Sequence, residues 1–157
     1  MTQLELEILL QQEEGRHFQT LKLPEVREFL ILSLSEYGTE EKLSEANEVA
    51  DVMIGMLKKM KQITAQGSQT FVEIMIAAAL THNLFYEDNI TSLFEAREKL
   101  SPIAIEAGLP ENGSDGIFQA IEAQLGPDTP VPVCKPVPGT PTEMFAWAVW
   151  FVKEYGK

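Results

Sequence analysis

Apolar residues recur at helical spacing through most of the chain. In segment 40–63, "EEKLSEANEVADVMIGMLKKMKQI", Leu43, Ala46, Val49, Ala50, Met53, Met56, Leu57 and Met60 fall on one stripe. A helix that buries one face needs this pattern. Thr39 precedes it, acids crowd its start and lysines its end, which suits the helix dipole. "QGS" at 66–68 breaks it. Thr70 and Glu73 then form a capping-box pair that predicts an apolar helix over 71–84. Ser92 and Glu95 do the same for "LFEAREKL". "PENGSDG", 110–116, reads as a turn, followed by a short helix, "IFQAIEAQL", that stops at Gly126.

The N-terminal stretch is ambiguous. "LELEILL" alternates as a strand does, yet it can also open a helix; "LPEVREFLILSL" reads as a helix from Pro24. Near the other end, "PDTPVPVCKPVPGTP" packs six of the nine prolines into residues 127–141, which predicts an extended loop. Thr140, Pro141 and Glu143 restart a helix, "EMFAWAVWFVKEY", that is apolar almost all round. Such a helix belongs in the core, with Phe145, Trp147, Ala148, Trp150, Phe151 and Val152 near its centre. The expected architecture is an all-α, compact helical bundle. It forms a single domain over 1–157, with 1–38 a helical extension and 39–157 the core, and one long proline-rich loop before the C-terminal helix.

Composition narrows the function classes. A chain of 157 residues can bury a core of its own. No apolar run approaches the roughly 20 residues of a membrane span, and no basic start leads into an apolar stretch, so neither a membrane role nor a signal peptide is expected. The lone Cys134 excludes an internal disulfide and a thiolate metal cluster, and suits a reducing cytoplasm. The net charge is −12, and residues 1–50 hold 4 basic against 11 acidic side chains. Direct nucleic-acid binding is disfavoured, because it needs phosphate neutralisation. An acidic face suits instead a protein partner with a basic surface, or a mimic of DNA.

Few residues can carry chemistry. There is no glycine-rich phosphate loop, no Ser-His-Asp set and no metalloprotease helix motif. His17, in the polar "EGRHFQT", reads as a surface residue. His82 ends an apolar helix, with Asn83, Tyr86, Glu87, Asp88 and Asn89 after it, a place where polar side chains can converge on a pocket.

Three segments carry a resemblance. "EANEVADVMI", "AAALTHN" and "IEAQLGP", followed by the proline-rich loop and an apolar last helix, resemble the HD-domain superfamily, in particular small HD-type phosphohydrolase-like proteins of phages and bacteria. The resemblance covers roughly residues 40–155 and implies an HD-like helical fold, with a phage origin and a host-cytoplasm location among its expectations. The family's opening histidine falls at Glu45. The histidine of its His-Asp pair is His82, and the aspartate is Asn83. A further histidine falls at Gln124, and the last aspartate falls near Val149. A metal that lowers the pKa of a bound water needs nitrogen or carboxylate donors, and most are gone. The expected function is therefore that of a catalytically inactive protein that binds a protein partner or a nucleotide-like ligand. No cofactor is expected, and Glu45, His82, Asn83 and Gln124 line a remnant pocket. Two alternatives stand beside it: a metal-dependent nucleotide phosphohydrolase holding a divalent metal such as Mn through Glu45, His82, Glu87 and Asp88, and an acidic DNA mimic. If Glu45 faces His82, the two form an ion pair joining the helices that carry them; Asn83 caps its own helix.

Overall fold

In a computed structural model, which describes residues 1–59, 68–85, 93–122, 148–149 and 151–152, the described residues form an all-α bundle with six helices between residues 3 and 122. They are α1 (Gln3–Leu10), α2 (Pro24–Tyr37), α3 (Glu40–Lys59), α4 (Ser68–Thr81), α5 (Leu93–Ala107) and α6 (Glu111–Glu122). Two short 3-10 turns, Glu13–Gly15 and Phe18–Thr20, link α1 to α2. The expected all-α class is what the described residues show. No helix among them is long and apolar enough to cross a membrane.

The ambiguous N-terminus is helical. Thr2 caps α1, its hydroxyl accepting from the Glu5 N–H at 3.1 Å. The alternating leucines contain two i, i+4 pairs on different helix faces. Leu6 and Leu10 are buried, while Leu4 and Ile8 are 68% and 52% exposed. The chain then turns against itself at Gly15, where a Cβ would lie 1.9 Å from the Leu10 carbonyl oxygen. Only glycine fits that approach. Leu6, Leu10, Phe18, Leu21 and Val26 belong to the same buried cluster as the cores of α3 to α6.

α3 follows its predicted stripe. Thr39 caps it, accepting from the Lys42 N–H at 3.1 Å, and Leu43, Ala46, Val49, Ala50, Met53 and Leu57 are buried while Met56 is half-buried. α4 is the central element, packed on α3, α6 and α2. Every residue from Glu73 to Phe85 is buried, and Ala77, Ala78 and Ala79 have no exposure at all. Three alanines in succession leave a thin helix that neighbours can approach from several sides.

Two sequence expectations change here. Residues 111–116 are not a turn but the opening of α6. Gly113 and Gly116 lie against Ile74 of α4, where an added Cβ would come within 3.0 and 3.1 Å of its side chain. Glycine in a helix costs about 1 kcal/mol against alanine; close packing of α6 on α4 offsets that cost. Likewise α4 opens at Ser68, so Thr70 lies inside the helix, and Glu73 caps a different element. α5 runs on beyond "LFEAREKL", through Pro102, and is followed by a left-handed Gly108 at φ 82°. There the Leu109 N–H donates to Ala104 O and the Gly108 N–H to Ile105 O, with Ala104 and Leu109 both buried. This is a Schellman closure with its apolar contact. Of the last helix, Ala148 and Val149 are buried and Val152 half-buried, as expected of a core element, but Phe151 is 38% exposed. Phe145, Trp147, Trp150, Ser92 and the proline-rich stretch lie outside the described residues.

Candidate functional site

The end of α4 holds the residues singled out by the sequence. The Thr81 hydroxyl donates back to Ala77 O at 2.8 Å. His82 is 4% exposed, and its Nδ1 lies 2.5 Å from Ala79 O. A carbonyl can only accept, so Nδ1 carries the proton. Asn83, 7% exposed, does not cap its own helix. Its Nδ2 donates across to the Lys42 carbonyl in the first turn of α3 at 2.9 Å, and the Lys42 ammonium donates to Leu84 O at 2.8 Å. These two bonds form a reciprocal clasp between the end of α4 and the start of α3. Asn83 uses its donor, while its Oδ1 has no partner among the described residues. An aspartate offers no such donor when ionised.

Glu45 lies apart from this cluster. It is exposed on α3, whereas His82 is buried, and no ion pair joins them. The expected salt link between α3 and α4 is replaced by the Asn83–Lys42 clasp. The reason is helical phase: Leu43, Ala46, Ala50 and Met53 are buried and leave position 45 on the outward side of α3. Val149, near which the resemblance would put a last aspartate, is buried apolar core. Gln124, Glu87 and Asp88 lie outside the described residues. Among the described residues no three His, Cys, Asp or Glu side chains gather as a metal cluster would require.

The polar cluster that the sequence did not signal lies between the 3-10 turns and α3. His17 is 8% exposed, not a surface residue, and its Nε2 lies 2.6 Å from Asp51 Oδ1. Arg16 forks onto the same carboxylate, Nη2 to Oδ2 at 2.8 Å and Nε to Oδ1 at 3.3 Å. Partial burial opposes ionisation of Asp51, but hydrogen bonds and charge from Arg16 and His17 outweigh it and hold the carboxyl below the usual carboxylate range. The same hydrogen bond to Asp51 raises the Arg16 guanidinium above its ordinary value. The cluster joins positions 34 and 35 residues apart, so no local spacing reveals it.

Glu73 is a second surprise. This carboxylate is 1% exposed. Its Oε1 accepts the Lys22 and Leu23 N–H groups, each at 2.8 Å, and its Oε2 accepts from Gln69 Nε2. A side chain of α4 thus satisfies the backbone donors just ahead of α2, whose N-cap Leu23 has no capping side chain of its own. The three buried groups at 17, 73 and 83 all act as ties between elements.

On the outer side of α3 the picture differs. Glu41, Glu45 and Glu48 are exposed at i, i+4 and i+7, one face of the helix, and make no ion pair among the described residues. They rise about 10 Å along the axis. No family model, curated protein or solved structure matches the chain.

Proposed function

We propose that this chain is a binding protein, a degenerate HD-like helical domain without hydrolase chemistry that meets a protein partner of basic surface through the outer face of α3. The observation that carries the reading is the row Glu41, Glu45 and Glu48, solvent-facing and without ion-pair partners among the described residues. Three like charges on one helix face repel each other, by a few tenths of a kcal/mol per i, i+4 pair. A basic partner relieves that repulsion and is drawn in by the net charge of −12. The polar residues at the end of α4 are engaged in structural bonds, which supports a binding role over a catalytic one.

The test compares the native protein with the Glu41→Gln, Glu45→Gln, Glu48→Gln triple variant. A partner is captured by cross-linking, purified, and titrated against both at low and moderate salt. The expected result is at least a tenfold loss for the variant, with a steep salt dependence for the native protein only. Equal affinity would overturn the proposal. Competition by duplex DNA for the captured partner would identify the acidic row as a DNA mimic. Nucleotide hydrolysis in manganese that His82→Ala abolishes would replace it with the metal-dependent phosphohydrolase.

A further inference from the structure

We propose that the groove between α1, the second 3-10 turn and α2 is a binding site for a small carboxylate-bearing molecule with an apolar body. The groove has a volume of about 500 Å³ and is lined by Glu7, Leu10, Phe18, Gln19, Arg27 and Ile31. That size falls within the range of small-ligand pockets. The acidic row on α3 takes no part in it.

Arg27 is the reason for an anion. The chain is strongly acidic, and Arg16 and Arg97 are each paired with an aspartate. Arg27 has no carboxylate partner among the described residues. Its guanidinium lies 4.4 Å over the Phe18 ring, and Nη1 donates to Leu21 O at 3.0 Å and, more weakly, to Phe18 O at 3.4 Å. Stacking and these bonds set the plane of the fork. Nε and Nη2 have no protein acceptor among the described residues. A guanidinium held in place with donors to spare suits the bidentate capture of a carboxylate.

The remaining lining selects the rest of the ligand. Leu10 and Phe18 are buried and Ile31 is half-buried, giving an apolar floor beside the cation. Gln19 is held by its Nε2 to the carbonyls of Leu10 and Gln12, so that wall is fixed. Glu7, exposed on α1, brings one negative charge to the rim. It penalises a dianionic phosphate about twice as much as a carboxylate, which decides the class.

The test uses 3-phenylpropionate as probe and 3-phenyl-1-propanol as its neutral counterpart, followed by amide and Arg Nε–H chemical shifts of the full chain. Saturable shifts at Leu10, Phe18 and Arg27 with the acid, at least tenfold weaker with the alcohol, are expected. Arg27→Gln should abolish the difference between the two probes. Arg27→Lys, which keeps the charge but not the fork, should weaken the acid severalfold. Glu7→Gln, at an exposed position, should tighten it. Should Arg27→Gln fail to fold, the lysine and Glu7 variants decide. No shift at these residues up to about 10 mM acid, equal binding of the alcohol, or weaker binding by Glu7→Gln would overturn the proposal.

Discussion

Replacing Asn83 with aspartate would place an aspartate directly after His82, and the fold should resist it. In the native chain Asn83 Nδ2 donates to the Lys42 carbonyl at 2.9 Å in a site 7% exposed. An ionised carboxylate at this position puts oxygen against oxygen. The lost bond is worth about 0.5–1.5 kcal/mol, and the stranded carbonyl together with a buried carboxylate adds about 1–3 kcal/mol. The Lys42 ammonium, 2.8 Å from the neighbouring Leu84 carbonyl, offsets part of this. A net loss of about 1–4 kcal/mol at neutral pH is expected, a fall of roughly 2–16 °C in Tm for a chain of this size. The loss has a pH signature. Burial raises the folded-state pKa of the new carboxyl above its unfolded value of about 3.9. Below that unfolded value the protonated acid donates to Lys42 O and the penalty is absent. It grows as pH rises and is complete above the folded pKa. Urea unfolding of Asn83→Asp and wild type at pH 4 and pH 8 measures it. A variant as stable as wild type at pH 8, or an equal loss at both pH values, would refute the clasp.

Glu73→Ala should destabilise by about 2–4 kcal/mol, because the Lys22 and Leu23 N–H groups lose their acceptor. Glu73→Gln, which keeps one acceptor oxygen, should cost less, and unfolding of both variants compares them. Gly116→Val should destabilise by about 1–3 kcal/mol through overpacking on Ile74. An alanine at the open Gly55 should instead stabilise by up to about 1 kcal/mol, and paired melting curves read the contrast. Asp51→Asn should cost about 1 kcal/mol or less at neutral pH, since the carboxylate is half-exposed. Because the native carboxyl titrates below its ordinary value, its contribution is present above the unfolded pKa and lost as pH falls through the folded one. The gap between Asp51→Asn and wild type, measured by urea unfolding, should therefore close in acid.

Helices whose signals are local can be read from the chain directly. The stripe from Leu43 to Leu57, the Thr39 cap and the proline at the start of α2 each act within a turn or two of the residues they organise, so periodicity finds them. The burial of the helix that His82 ends is legible in the same way. The remaining features needed the packed molecule. A carboxylate at 73 fits a capping box by spacing, but the nearest unmet donors are the Lys22 and Leu23 N–H groups, 51 and 50 residues away. A glycine-rich run reads as a turn until a neighbouring Ile74 makes small side chains the condition for close packing. His17 sits in a polar stretch, yet Asp51 draws it inward. Resemblance aligns Glu45 with His82, but the phase of α3 points one to solvent while the other is buried. Local spacing records which face a residue shares; which partner that face meets is set by how whole helices pack, and that information is spread over the entire chain.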